Sequence, residues 1–148
     1  MGMIWVFNGP NLNLLGLREP EHYGSHTLAE IHQEILKIAN EAKINAECKQ
    51  TNHEGVLIDW IQGLSSEDFL ILNPGAWTHT SYAIRDAISA VKVPVVEVHL
   101  SNIHAREAFR ANSVIAPVCI GQISGLGAEG YSLAMHYAIS YQKTQGKT

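Results

Sequence analysis

Two pairs of side chains in this sequence could move protons. Arg18 and Tyr23 share the stretch Leu14-Leu15-Gly16-Leu17-Arg18-Glu19-Pro20-Glu21-His22-Tyr23-Gly24, whose glycines and proline predict a loop. A phenol titrates near 10, so an adjacent guanidinium that lowers it by about two units turns a rare phenolate into a usable base. Glu97 and His99 alternate in Val95-Val96-Glu97-Val98-His99. In a strand both project from one face, where the carboxylate orients the imidazole and favours its protonated form, a general acid near neutral pH. Each pair also has a plainer account: an exposed loop tyrosine beside a solvated arginine, and a partly buried histidine at a strand end.

Other polar groups follow apolar runs. Ile4-Trp5-Val6-Phe7 ends in Asn8-Gly9-Pro10-Asn11-Leu12-Asn13, a poor helix start, since proline lacks an N–H and asparagine competes for backbone hydrogen bonds. Phe69-Leu70-Ile71-Leu72 ends in Asn73-Pro74-Gly75-Ala76-Trp77-Thr78-His79-Thr80-Ser81; a turn with Thr80 or Ser81 as helix cap explains most of it, but not His79. Ser101-Asn102, after the Glu97 run, offers hydroxyl, amide and backbone donors that suit a carboxylate. His79, His99 and His104 could hold zinc. The chain lacks His-Glu-x-x-His, and Glu97 suits an orienting role better than a ligand's, so no metal is expected. Asn52-His53-Glu54-Gly55 reads as turn and helix start. Gly125-Leu126-Gly127-Ala128-Glu129-Gly130 has the dinucleotide-binding form but follows the last predicted strand, so a tight loop with close helix packing is expected instead.

Composition bounds the rest. The 148 residues, 46% hydrophobic and 16% charged, predict a single domain over 1–148 with a flexible tail from about 142. No apolar stretch approaches the roughly 20 residues of a membrane span and the N-terminus lacks signal-peptide character, which predicts a cytoplasmic protein without membrane contact. Cys48 and Cys119 have no metal-ligand spacing and are expected as buried free thiols. A net charge of -4 argues against nucleic acid as a partner. Arg18, Arg106 and Arg110 instead concentrate positive charge in two short segments, which suits a small anionic ligand.

Strand and helix patterns alternate. Thr27-Leu28-Ala29-Glu30 has capping-box form and opens an apolar helical face, predicting a helix over 27–42. Strands are predicted at 4–7, 46–51, 69–72, 93–98 and 114–120, and further helices at 56–64, around 84–91 and at 131–141. The alternation implies an α/β fold with a parallel sheet covered on both faces and right-handed crossovers, and the preferred topology is a flavodoxin-like three-layer sandwich around a five-stranded parallel sheet of order 2-1-3-4-5. In that order a ligand sits beyond the carboxyl ends of strands one and three. The polar segments after strands one, three and four then converge on one place.

Phe7-Asn8-Gly9-Pro10-Asn11-Leu12-Asn13-Leu14-Leu15-Gly16, Arg18-Glu19-Pro20 with Tyr23-Gly24, Asn52-His53-Glu54-Gly55, Asn73-Pro74-Gly75-Ala76 with Thr78-His79-Thr80-Ser81, and Glu97-Val98-His99-Leu100-Ser101-Asn102 with His104-Ala105-Arg106-Glu107 together closely resemble type II 3-dehydroquinate dehydratase over nearly the whole chain. The resemblance implies dehydration of 3-dehydroquinate to 3-dehydroshikimate by anti elimination through an enolate, with no metal, cofactor or Schiff-base lysine. It implies Tyr23 as proton acceptor, Arg18 as holder of the phenolate and transition-state stabiliser, Asn11 as binder of a water at the enolate oxygen, and His99, oriented by Glu97, as proton donor. Asn73 and the backbone at Leu100 and Ser101 would take the substrate carboxylate, His79 and Arg110 the ring hydroxyls, and Asp86 would reach a neighbouring subunit's site in a dodecamer of four trimers. A loop over about 17–24 would close over the substrate. The role would lie in the shikimate pathway of aromatic amino acid biosynthesis or in quinate breakdown. Two other readings compete: a flavodoxin-like module binding flavin or another phosphate-bearing ligand, for which Asn8-Gly9-Pro10-Asn11 is a poor phosphate loop, and an inactive assembly protein on the same fold.

Overall fold

The apolar runs become the strands of one parallel sheet in the computed structural model, which describes residues 2–17, 21 and 25–145. The strands are β1 (Ile4–Asn8), β2 (Ala46–Gln50), β3 (Phe69–Asn73), β4 (Val95–His99) and β5 (Gly121–Ser124), ordered β2-β1-β3-β4-β5 as predicted. The helices are α1 (Leu28–Glu41), α2 (Glu54–Gln62), α3 (Tyr82–Ala90) and α4 (Glu129–Gln145).

Side-chain alternation divides the core in two. Ile4, Val6, Phe69, Ile71, Val96 and Val98 pack with α1 and α4 on one face. Phe7, Leu70, Leu72 and Val95 pack with α2 and α3 on the other. Burial on both faces is why the central strands read as nearly continuous apolar runs. The same period of two carries polar residues into opposite layers at the carboxyl ends: Asn8 and Asn73, paired in register, face the α1/α4 side, while Glu97 follows Val95 toward the α2/α3 side.

Local signals set the helix starts. Thr27 Oγ1 accepts from the Glu30 amide at 3.2 Å while the Glu30 carboxylate accepts from the Thr27 amide at 3.1 Å, the capping box the sequence predicts. Ser81, rather than Thr80, caps α3 by accepting from the Ile84 amide at 3.0 Å.

Two expectations are corrected. The predicted strand over 114–120 is absent: Ala116–Val118 form a 3-10 turn, and β5 begins only at Gly121. Pro117 has no N–H to give a ladder, and the Ser113 hydroxyl accepts the Ile115 and Ala116 amides at 3.2 and 2.9 Å, which holds the backbone in a turn. Val114 and Ile115 are buried, but as plugs in the α2/α3 layer. Residues 142–145 are the last turn of α4, not a tail, and buried Gln142 donates to the Glu67 carbonyl at 3.0 Å. Residues 146–148 lie outside the described residues.

Candidate active site

The loops following β1, β3 and β4 converge above the carboxyl ends of those strands around an open cleft. Asn11, Asn73, His79, His99, Leu100, Ser101 and Arg110 all line it, together with Arg106. The position is the one the strand order predicts.

Asn11 is held in the left-handed region, at φ 67°, a conformation asparagine tolerates better than most residues. Its amide donates to Asn52 Oδ1 at 3.0 Å, and Gln50 Nε2 donates both to the same oxygen and to the Gly9 carbonyl, each at 3.0 Å. Asn52 therefore does more than turn the chain after β2, and Gln50 was not singled out from the sequence. Gly9 is required where it stands: a Cβ there would overlap the Pro74 carbonyl of the neighbouring loop.

At β4, Glu97 is fully buried and His99 nearly so. His99 Nε2 donates to Glu97 Oε2 at 2.5 Å, leaving Nδ1 without a protein partner among the described residues. Glu97 also accepts from Ser113 Oγ at 3.0 and 3.1 Å and from Gln122 Nε2 at 2.7 Å. Its donors thus come from its own strand, from the turn before β5 and from β5 itself, where Gln122 is its register partner. Neither Ser113 nor Gln122 carried a local signal, because their role depends on cross-chain placement alone.

His79 Nδ1 lies 2.9 Å from the Asn112 carbonyl, which can only accept, so Nδ1 carries the proton and Nε2 is the acceptor of the neutral ring. Burial is the main cause that holds this histidine below its ordinary value; the hydrogen bond to the Asn112 carbonyl opposes it, and nearby His99 and Arg110 add to the lowering. Arg110 donates through Nε to Glu107 at 3.1 Å and lies 4.9 Å from the centre of the Phe109 ring. Arg106 Nη1 reaches Ser101 Oγ at 3.4 Å.

The glycine-rich segment before α4 braces this region, as the tight-loop reading predicts. The Gly125 and Gly127 amides donate to the His99 and Leu100 carbonyls at 3.3 and 2.9 Å. Gly125 has φ +90°, and a Cβ there would meet the Asn102 Cβ at 3.0 Å. A side chain at that point would be strained by the backbone conformation and would press on the loop after β4.

Arg18 and Tyr23 lie outside the described residues, as does most of the segment 17–24 expected to close over a ligand. Asp86 is on the exposed face of α3 and does not line this cleft. Among the described residues, no group of three or more His, Cys, Asp or Glu side chains is gathered as a metal site. Cys48 and Cys119 are free but only partly buried, and desolvation pushes each thiol up to about 12.

Residues 2–139 match the family described as dehydroquinase class II. A 3-dehydroquinate dehydratase of Desulfitobacterium hafniense (strain Y51) is 65% identical over 139 residues, covering 94% of this chain and 96% of its own length. The protein of that name from Halalkalibacterium halodurans is 59% identical over 138 residues, covering 91% and 94%. Among solved structures, the type II dehydroquinase from Propionibacterium acnes superposes with a TM-score of 0.90 at 39% identity, over 95% of this chain and 97% of that one. The type II dehydroquinase from Butyrivibrio crossotus gives 0.88 at 45% identity, over 93% and 97%. The relatives carry the same name, the solved structures the same sheet, and the match runs through every segment that lines the cleft: this chain belongs to the class II dehydroquinase family.

Proposed function

We propose that this protein is a type II 3-dehydroquinate dehydratase, which eliminates water from 3-dehydroquinate to give 3-dehydroshikimate. The observation that carries the reading is the buried Glu97–His99 pair opening onto a cleft that also gathers Asn73, Ser101 and Arg110. The cleft thus joins a proton donor to groups that can hold a carboxylate and hydroxyls.

Tyr23, as phenolate beside Arg18, removes the proton at C2. The C–H electron pair forms the enolate, whose oxygen is stabilised by a water that Asn11 helps to hold. When the carbonyl re-forms, the C1–O bond breaks and His99 delivers a proton to the departing hydroxyl, so that water leaves. With Nε2 committed to Glu97, the imidazolium gives up its proton from Nδ1. Asn73 and the backbone at Leu100 and Ser101 take the carboxylate. His79 accepts from a ring hydroxyl through Nε2, the nitrogen that the Asn112 carbonyl leaves unprotonated, and Arg110 donates to another. No step calls for a metal or an organic cofactor. Asp86, exposed on α3, serves the site of a neighbouring subunit in a dodecamer of four trimers. The enzyme acts in the cytoplasm, in the shikimate pathway or in quinate breakdown; no helix among the described residues is long and apolar enough to cross a membrane.

The test is ultraviolet absorbance of the conjugated enone on adding 3-dehydroquinate, with chelator, with borohydride and with Tyr23→Phe in parallel. Activity that survives both reagents and vanishes in Tyr23→Phe is expected. No product from the wild type overturns the assignment.

A further inference from the structure

A second buried polar cluster lies under the cleft floor, on the α1/α4 face, and of its members only Asn73 has a part in the proposed reaction. Tyr131, the first large side chain of α4 and fully buried, donates its hydroxyl proton to Asn8 Oδ1 at 2.6 Å and accepts from Asn73 Nδ2 at 2.8 Å. Asn73 Oδ1 accepts from the Gly75 amide at 3.1 Å. At the far end, Asn8 Nδ2 donates to the Lys49 carbonyl at 3.2 Å and to His32 Nε2 at 3.0 Å.

The sense of every link is fixed by the backbone. The Gly75 amide can only donate, so Asn73 must present its oxygen there and its nitrogen to Tyr131. The Lys49 carbonyl can only accept, so Asn8 must present its nitrogen there and its oxygen to Tyr131. One group is left to accept from Asn73 and donate to Asn8 at the same time, and a hydroxyl is the side-chain group that does both from one atom. Asn73 is 2% exposed and lines the cleft, with one Nδ2 proton taken by Tyr131 and the other without a protein partner among the described residues.

We propose that Tyr131 is a positioning residue that acts through Asn73, fixing the carboxamide so that its remaining N–H meets the substrate carboxylate. This rests on the proposed role of Asn73. Asn73 alone could pivot about its side-chain torsions, with only the Gly75 amide to resist. Tied at both oxygen and nitrogen, it meets the ligand in one orientation and loses no further freedom on binding.

Tyr131→Phe removes the hydroxyl and keeps the ring. The expected result is a KM for 3-dehydroquinate raised about tenfold with kcat little changed, the pattern of a lost interaction made equally in ground and transition states. A partly unfolded preparation lowers apparent kcat but leaves KM alone, so the two effects separate. Asn73→Ala should reproduce the rise, and adding Tyr131→Phe to it should raise KM no further. The double variant Asn8→Leu/Tyr131→Phe also removes the carboxamide that Tyr131→Phe strands, together with its hydrogen bonds to the Lys49 carbonyl and His32, and KM should stay high whatever the change in folding stability. KM returning to the wild-type value in that variant, or multiplicative effects of Tyr131→Phe and Asn73→Ala, would overturn the proposal. Failure of the wild type to turn over 3-dehydroquinate would instead overturn the assigned reaction.

Discussion

The two buried clusters at the carboxyl ends of the strands sit on opposite faces of the sheet and are built on opposite terms. On the α2/α3 side a single carboxylate, Glu97, collects donors from His99, Ser113 and Gln122. On the α1/α4 side His32, Asn8, Tyr131 and Asn73 form a chain of single links, each with one permitted sense. A carboxylate accepts from several directions at once, so its cluster has redundancy and its central oxygens matter far more than any one donor. The neutral chain has no redundancy, so its middle link matters most. On the proposed mechanism a charge is kept where a proton is delivered, and neutral groups suffice where a carboxamide is aimed.

The largest effect that sharpens this contrast belongs to Glu97→Ala, which removes the acceptor for His99. It should lower kcat by about 10²- to 10⁴-fold, the range for loss of a positioned acid, with circular dichroism showing a folded protein. Gln122→Leu should cost far less, because His99 and Ser113 still hold the carboxylate. Equal losses in steady-state kcat for the two variants would break the redundancy argument.

Next comes stability. Tyr131→Phe strands Asn8 Oδ1 and an Asn73 N–H inside the protein and should cost about 1–3 kcal/mol in urea unfolding. Ser113→Ala leaves Glu97 two other donors and chiefly loses the cap on Ile115 and Ala116, worth about 1 kcal/mol. A larger loss for Ser113→Ala would reverse the expected ranking of the two clusters.

The smallest effect is a pH dependence. Burial holds His32 below its ordinary value of 6.5, in keeping with an Nε2 that accepts from Asn8. As pH falls below that value the unfolded chain takes up a proton that the native chain resists, so the unfolding free energy declines; above it the contribution is constant. His32→Gln, whose amide oxygen keeps an acceptor for Asn8, should flatten part of that decline, read as urea midpoints about one unit either side of 6.5. His79, also held low by burial, keeps its share in both proteins. An unchanged slope in His32→Gln would show that the chain does not sense protonation at that end.

Much of this was legible in the sequence. The period of two through Glu97 and His99, the capping box at Thr27 and the buried run at 69–72 follow from patterns within a few residues, which short-range sterics and burial enforce without help from distant chain; the strand order was the preferred arrangement for the alternation of strand and helix along the whole chain. The misplaced fifth strand shows the limit: Val114-Ile115 looks like a strand because it is apolar, yet Pro117 and the Ser113 hydroxyl hold the next residues in a turn. The last turn of α4 was missed for a similar reason, since Gln142 reads as tail until the carbonyl of Glu67 is found beside it.

By itself, then, the sequence determined most of the elements, their succession along the chain and the family to which the chain belongs, because these rest on local periodicity and on motifs read along the chain. Only the tertiary structure decided which donors reach Glu97, how Asn52 and Gln50 hold Asn11, and why a tyrosine on α4 clamps two asparagines at the ends of β1 and β3. Those partners are far apart in sequence. What selects them is that a buried polar atom must find a partner of the right sense wherever the fold brings one, and no pattern along the chain records where that will be.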